Sequence, residues 1–193
     1  MRSLPTLWFL RHGQTEWNRD YRLQGQLDSP LTEQGIAEAR RQALIMPKIL
    51  AGKPAIFASP LGRARQTADI ALAGADYTTD PRLMEIDAGR WQGRYRADIM
   101  AEHIEWQANG PTALDIYEAA EGGEGIVAFH DRICSFVKDL TGPTVIVAHG
   151  LLGQVLRAHV RGIELAQAGQ LSNLQGIVYL LENGQETVLE VEE

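Results

Sequence analysis

Three short runs of apolar residues mark the positions of the first strands along the chain. They lie at residues 7–10, 55–58 and 145–148. Each run is continuous rather than alternating, and each is bounded by turn-forming or polar residues. Continuous apolar runs of this length are typical of strands that are buried on both faces, as in a parallel sheet.

Helical spacing of apolar residues appears between and after these runs. The predicted helices span residues 33–49, 61–72, 94–107, 125–140 and 151–160. Thr32 is a suitable N-cap for the first helix, because its side-chain oxygen can accept a hydrogen bond from a free backbone N–H. Pro47 is expected to disturb the end of that helix. In the fourth helix the apolar residues with helical spacing are Ile126, Phe129, Ile133, Phe136, Val137 and Leu140.

The end of the chain predicts two more strands, at residues 176–182 and 187–191. Asn183-Gly184 lies between them and is a hairpin signal. The resulting order, β-α-β-α-α-α-β-α-β-β, predicts an α/β sandwich. With 193 residues and 45% hydrophobic content, the chain suits one domain over residues 1–193. The tail strands could also pair across a homodimer.

Composition narrows the choice of partner and compartment. The formal net charge of -7 argues against nucleic acid or an anionic membrane as a partner. The apolar stretch that ends at residue 10 is short and is broken by Pro5, so it is predicted as a strand and not as a signal peptide. Cys134 is the only cysteine, which excludes an internal disulfide and fits a reducing compartment. The expected location is the cytoplasm.

Each apolar run is followed at once by residues that can carry chemistry. Arg11 and His12 follow the first run, Ser59 and then Arg63 follow the second, and His149 follows the third. Ligands of open α/β sheets bind beyond the carboxyl ends of the strands, so these side chains are expected to meet there. Guanidinium groups match phosphate oxygens, and a neutral histidine can attack phosphorus. The ligand expected at this site is therefore a dianionic phosphoryl group.

Five longer segments carry a more specific signal. They are Leu-Arg-His-Gly-Gln-Thr-Glu-Trp-Asn at residues 10–18, Asp-Ser-Pro-Leu-Thr-Glu-Gln-Gly at 28–35, Ser-Pro-Leu-Gly-Arg-Ala-Arg-Gln-Thr-Ala at 59–68, Leu-Met-Glu-Ile-Asp-Ala-Gly-Arg-Trp-Gln-Gly at 83–93 and Val-Ala-His-Gly at 147–150. In this order they resemble the motifs of the histidine phosphatase superfamily, which is phosphoglycerate mutase-like. The resemblance implies a three-layer α/β/α sandwich with a mostly parallel central sheet.

The resemblance also implies a role for each matching residue. His12 would accept the phosphoryl group, Glu85 would protonate the leaving oxygen, and Arg11, Arg63 and His149 would hold the phosphoryl oxygens. The residues expected to bind the substrate are Asn18, Gln24, Gly25 and Gly150. Phosphoryl transfer depends mainly on positioning and charge stabilisation, which two arginines and a histidine can supply. No cofactor and no metal are therefore expected, and the expected partner is a small phosphorylated metabolite.

Three functions remain open at this point. The first is a phosphomonoester hydrolase, the second a phosphoglycerate mutase that uses 2,3-bisphosphoglycerate, and the third a phospho-ligand binder without turnover. Mutases of the family tend to have inserted segments that close over the site, and residues 91–122 leave little room for one. The segment at 83–93 also resembles the phosphatase branch, which favours the hydrolase.

Several residues allow two interpretations. The Gly-rich segment at 121–125 could line the pocket or form a turn before a helix. Trp17 and Trp91 could shape the pocket or pack in the interior, and Leu151 could narrow the pocket or pack on the sheet. The arginines of the two loops could bind a second anionic group or be surface charges: Arg19, Arg22, Arg94 and Arg96.

The remaining histidines and the cysteine are not expected to carry chemistry. No His-Glu-x-x-His pattern and no pair of cysteines occurs in the sequence. His103 and His130 are predicted on the surface of helices. Cys134 lies among apolar residues at helical spacing, which favours packing in the core.

Overall fold

The computed structural model describes residues 4–106 and 110–191. Its strands are β1 (Leu7–Arg11), β2 (Ala55–Ala58), β3 (Thr78–Thr79), β4 (Thr144–Ala148), β5 (Val178–Glu182) and β6 (Gln185–Leu189). Its α-helices are α1 (Glu16–Arg19), α2 (Glu33–Leu50), α3 (Gly62–Ala71), α4 (Arg96–Glu102), α5 (Ala113–Glu118), α6 (Ile126–Asp139) and α7 (Gly150–Arg161). Within the described ranges no helix is long and apolar enough to cross a membrane.

The strands form one mixed sheet in the order β3-β2-β4-β1-β5-β6. The four strands β3, β2, β4 and β1 run parallel to one another, whereas β5 pairs antiparallel with both β1 and the edge strand β6. β4 lies between β2 and β1, so the carboxyl ends of all three central strands meet at the same edge of the sheet. The predicted α/β class with a mostly parallel central sheet is confirmed.

Helices cover both faces of the sheet because the central strands are apolar on both sides. In β4, Ile146 and Ala148 pack in one core, with residues of α6 and α7. Val145 and Val147 point the other way and pack in a second core, with residues of α2 and α3. This alternation is the two-residue period of a strand, and it produces the predicted three layers.

One strand differs from the prediction. β2 is not buried on both faces: Ala55 is exposed, and Ile56 and Phe57 are only partly buried. Its outer neighbour, β3, has two residues and pairs only with Phe57 and Ala58. A strand near the edge of a sheet is covered by fewer side chains of other elements than a central strand. The apolar run of β2 therefore predicted the strand correctly but overestimated its burial.

Helix boundaries differ from the predictions mainly between residues 94 and 118. The predicted helix over 94–107 is wrong as a single element: α4 ends at Glu102, and a 3₁₀ turn follows at Ile104–Trp106. Gln107, where that prediction ended, lies outside the described residues. α5 was not predicted, although Thr112 and Asp115 form a capping box at its start.

Proline and the tail hairpin also show how local sequence acts. Pro47 does not break α2, which continues to Leu50, because the buried side chains of Met46 and Ile49 hold its last turns against the second core.

In the tail, Asn183 and Gly184 have φ values of 53° and 75°, as a two-residue hairpin turn requires. β6 therefore begins at Gln185, two residues before its predicted start.

Candidate active site

The loop after β1 carries His12 and is held by neighbouring elements. Arg11 is the last residue of β1, and the backbone N–H of His12 donates a hydrogen bond to the carbonyl of Ala148 at the end of β4 (2.9 Å). The N–H of Gly13 donates to Oγ1 of Thr67 on α3 (3.1 Å). These bonds bring the first and third apolar strands and α3 to the same point.

Two glycines allow this loop to pack directly on the start of α2. A Cβ at Gly13 would lie 2.1 Å from the carbonyl oxygen of Gly35, and a Cβ at Gly35 would lie 2.0 Å from the carbonyl oxygen of Gln14. Both distances are far inside van der Waals contact with backbone atoms. This close approach explains why glycine stands at both positions of the sequence motifs.

The imidazole of His12 is buried and oriented by its own loop. Its Nδ1 lies 2.7 Å from the carbonyl oxygen of Gly13, and a carbonyl can only accept, so Nδ1 carries the proton. Nε2 is therefore the unprotonated nitrogen, and it accepts a hydrogen bond from Nε of Arg63 (3.3 Å). Burial, followed by the positive charges of Arg63 and Arg11, holds the pKa of His12 well below its ordinary value. His12 is thus neutral near pH 7.

Arg63 is fixed beside His12 by backbone carbonyls. It lies in the first turn of α3, and its guanidinium donates to the carbonyls of Leu27 (2.8 Å) and Gly25 (2.8 Å). It also forms an ion pair with Asp28 (3.2 Å). Burial lowers the pKa of the guanidinium, although the nearby carboxylates oppose this effect. The positive charge is therefore oriented before any ligand binds.

His149 directly follows β4, at the N-cap of α7, and its ring lies next to that of His12. The centroids of the two rings are 5.2 Å apart, and Nε2 of His149 lies 2.7 Å from Oγ of Ser59. Nδ1 of His149 is buried and has no hydrogen-bond partner among the residues that the structure describes. Burial, followed by the charge of Arg63, lowers the pKa of His149 well below its ordinary value. The two histidines form a neutral pair beside fixed positive charge.

Glu85 reaches this point from the segment that follows β3. Its buried carboxylate accepts hydrogen bonds from the N–H groups of Leu151 (3.0 Å) and Leu152 (3.0 Å), and a further bond from Ile86 (3.2 Å). The first two donors belong to the N-terminal turn of α7, where free N–H groups and the helix dipole favour a carboxylate. The start of α7 therefore positions both Glu85 and the neighbouring His149.

These side chains surround a cavity of about 380 Å³, which is within the usual range for small-molecule sites. Eight of the nine site residues predicted from the sequence line it, and His149 lies behind His12 instead. The eight are Arg11, His12, Asn18, Gln24, Gly25, Arg63, Glu85 and Gly150. Among the described residues, no group of three metal-ligating side chains comes together at this cavity.

The four loop arginines separate into two pairs. Arg22 and Arg96 line the cavity. Arg22 is held above the ring of Tyr95, with its guanidinium carbon 4.1 Å from the ring centroid. Arg19 and Arg94 instead form exposed ion pairs with acidic neighbours. Two of the four positions can therefore meet a ligand.

The Gly-rich segment at 121–125 does not line the cavity but contacts the backbone of the segment that carries Glu85. The N–H of Asp87 donates to the Glu124 carboxylate (3.3 Å), and the N–H of Glu124 donates to the carbonyl of Asp87 (3.1 Å). Arg132 of α6 joins them, because it donates both to Glu124 (2.9 Å) and to the backbone carbonyl of Glu85 (3.0 Å). Arg132 was not predicted as a site residue, because its contact with Glu85 depends on how α6 packs.

The remaining alternatives resolve mainly towards packing. Trp91 is buried in a small apolar cluster, and Trp17 packs against Gly93; neither lines the cavity. Leu151 both lines the cavity and packs in the core on the α6–α7 side of the sheet.

Six further polar residues line the cavity and were not among the predicted site residues: Gln14, Tyr21, Tyr117, Gln154, Asn173 and Gln175. Gln154 lies one helical turn after Gly150, a spacing that could have indicated it. Gln175 donates to the backbone carbonyl of His12 (2.9 Å), and Arg11 donates to the carbonyl of Asn173. The last two belong to the connection before β5, which shows no pattern of its own.

Comparison with known proteins agrees with this geometry. The sequence model of the histidine phosphatase superfamily (branch 1) matches residues 7–192. A Proteus mirabilis protein named "Probable phosphoglycerate mutase GpmB" is 41% identical over 165 residues, which are 81% of this chain and 75% of that protein.

Two solved structures are similar over nearly the whole chain. The mycobacterial glucosyl-3-phosphoglycerate phosphatase in complex with VO3 is 30% identical, with a TM-score of 0.77, over 97% of this chain and 100% of that one. The Bacillus stearothermophilus protein YhfR is also 30% identical, with a TM-score of 0.75, over 96% of each chain.

Proposed function

Since the chain belongs to the histidine phosphatase superfamily (branch 1), we propose that it hydrolyses a small phosphomonoester through a phosphohistidine formed on His12. The observation that carries this proposal is the state of His12. Its Nδ1 donates a hydrogen bond to the Gly13 carbonyl, and its unprotonated Nε2 accepts a hydrogen bond from the fixed guanidinium of Arg63, which lines the same cavity as His12. This is the arrangement that a nitrogen nucleophile for phosphorus requires.

The first step breaks the ester bond. Nε2 of His12 attacks phosphorus, an N–P bond forms, and the O–P bond to the leaving group breaks. Arg11 and Arg63, which line the cavity, stabilise the negative charge on the phosphoryl oxygens. Glu85 serves as the proton donor to the leaving oxygen, because an alkoxide is a poor leaving group near neutral pH.

The second step releases phosphate. Glu85, now a carboxylate, takes a proton from a water molecule, and that water attacks the phosphohistidine. The N–P bond breaks, inorganic phosphate leaves, and His12 returns to its neutral form with Nδ1 protonated. The hydrogen bonds from the start of α7 keep the carboxylate in place during both steps.

The cavity supports a substrate with a second anionic group. Arg22 and Arg96 line it in addition to the two arginines beside His12. Asn18, Gln24 and Gln154 add neutral donors and acceptors, which suit hydroxyl groups. A small phosphorylated metabolite that carries a further carboxylate or phosphate fits this lining.

A mutase is the second candidate, since a relative that carries this name is 41% identical. The chemistry on His12 would be the same, and the phosphoryl group would pass to a second hydroxyl instead of water. The solved relative with a phosphatase name and the short segment between Trp91 and Gly122 favour hydrolysis. The two functions differ in their products, so one set of assays separates them.

The test is phosphate release by the wild type and by His12→Ala, with a metal chelator present. The panel contains p-nitrophenyl phosphate and phosphomonoesters with and without a second anionic group. His103→Ala is the matched control, because His103 lies away from the cavity, beside Trp106.

We expect release that persists with the chelator and with His103→Ala, and that is lost with His12→Ala. Conversion of 3-phosphoglycerate to 2-phosphoglycerate in the presence of 2,3-bisphosphoglycerate, without phosphate release, would establish the mutase instead. Release that continues in His12→Ala would refute the phosphohistidine mechanism.

A further inference from the structure

Helices α6 and α7 bring a second group of chemically able side chains together, away from the cavity of His12. His130 and Cys134 lie four residues apart on α6, and His159 lies near the end of α7. Sγ of Cys134 is 3.3 Å from Nε2 of His130 and 3.4 Å from Nδ1 of His159. The cysteine is only half-buried and belongs to none of the apolar cores, so the expectation that it packs in the core is wrong.

These separations match the edges of a tetrahedral metal site. Zinc binds cysteine sulfur at about 2.3 Å and histidine nitrogen at about 2.0–2.1 Å, which places the sulfur and the nitrogen about 3.6 Å apart at a tetrahedral angle. The two observed distances lie within about 0.3 Å of that value. One nitrogen from each ring and the sulfur all lie within 4.8 Å of one another. The third edge thus closes with small side-chain movements.

We propose that His130, Cys134 and His159 bind a zinc ion that links α6 to α7, with a water molecule as the fourth ligand. Among the described residues this is the one group of three such side chains that meets the distance requirement for a metal ion. The fourth position has room, because Cys134 and His159 open onto a surface cavity of about 360 Å³ that is also lined by Pro5 and Lys138.

The surroundings suit the ligands. A carboxylate oxygen of Asp131 lies 3.9 Å from Nδ1 of His130, the ring nitrogen that is not needed for the metal. This distance is too long for a hydrogen bond, but it places a negative charge near the proposed cation. The metal would be held by one imidazole nitrogen of each histidine and by the thiolate of Cys134, whose proton passes to solvent on binding.

The site is remote from the proposed reaction. His159 is nine residues after Gly150 on α7, which corresponds to about 14 Å along the helix axis. Zinc bound there would act on the packing of α6 against α7 and not on the chemistry at His12. The proposal therefore stands apart from the proposed function, and its test does not depend on phosphatase activity.

The test is zinc binding, measured by competition with a chromogenic chelator, for the wild type and four variants. We expect one site in the wild type, and at least about tenfold weaker binding in Cys134→Ser and in His159→Ala, since loss of a ligand costs no less than loss of a supporting contact. His12→Ala and His103→Ala are the controls, and both should keep wild-type affinity. Zinc should also raise the Tm of the wild type, and this shift should vanish in Cys134→Ser.

Cobalt substitution identifies the sulfur ligand. The Co²⁺ complex of the wild type should show a thiolate-to-metal charge-transfer band in the near ultraviolet and the intense visible bands of tetrahedral cobalt. Wild-type affinity in Cys134→Ser, loss of the site in His12→Ala, or a cobalt complex without the charge-transfer band would each overturn the proposal.

Discussion

The neutral, buried pair of histidines at the active site predicts an unusual loss of stability in mild acid. In the folded protein, burial and the charge of Arg63 hold the pKa of both His12 and His149 well below 6.5, the value that applies to an unfolded chain. Between the folded and the unfolded pKa, the unfolded state binds more protons than the folded state. The free energy of unfolding therefore falls as the pH decreases below 6.5 and is fully retained above it.

The magnitude follows from the unfolded pKa alone, as long as the folded histidines stay neutral. Each histidine contributes a loss of RT ln(1 + 10), or about 1.4 kcal/mol, between about pH 8 and pH 5.5. The pair contributes about 2.8 kcal/mol. For a protein whose total stability is about 5–15 kcal/mol, this is a large share.

The assay is urea unfolding at the two pH values, in buffers without phosphate or other binding anions. The variants are His149→Gln and the double variant that also carries His12→Gln, because glutamine does not titrate and can still form hydrogen bonds. The quantity compared is the loss of unfolding free energy between the two pH values, so a change in baseline stability cancels. His159, whose pKa is also lowered, is present in every protein and cancels as well.

We expect this loss to shrink by about 1.4 kcal/mol in the single variant and by about 2.8 kcal/mol in the double variant. An equal loss in all three proteins would refute the reasoning. It would mean that the two histidines gain protons in the folded state as easily as in the unfolded one, and that His12 is not held neutral by its surroundings.

Two substitutions test the supports of the site. Arg132→Met removes the hydrogen bond to the carbonyl of Glu85, so we expect kcat to fall by about 10–100-fold, with partial rescue by Arg132→Lys. The loss should be larger for alkyl phosphates than for p-nitrophenyl phosphate, because alkyl phosphates depend more on the proton donor. An equal loss for both classes of ester would indicate a general structural effect. Gly35→Ala places a Cβ 2.0 Å from the Gln14 carbonyl oxygen and should lower the unfolding free energy by at least about 2 kcal/mol in urea. Gly142→Ala is the matched control, since nothing lies within 4 Å of its added Cβ, and equal stability of the two variants would contradict the steric argument.

Much of the fold and of the candidate site could be predicted from local sequence, because the site residues directly follow the central strands along the chain. The apolar runs predicted β1, β2 and β4, and the polar residues directly after them predicted where Arg11, His12 and His149 would lie. A parallel sheet aligns the carboxyl ends of its strands, so adjacency along the chain became proximity in space. Helical spacing located α6 within one residue at each end, because α6 has one buried face. The ends of α7 were also predicted within one residue, although α7 is buried on all sides over residues 150–158.

Tertiary structure decided the features that depend on how separate elements meet. The contact of Arg132 with Glu85 joins positions 47 residues apart, and His159 reaches Cys134 only because α6 packs on α7. Gln175 enters the site through a connection that has no periodic pattern. In each case the sequence shows a polar residue but not its partner, because the distance between two elements is set by packing of the whole core and not by the residues near either one.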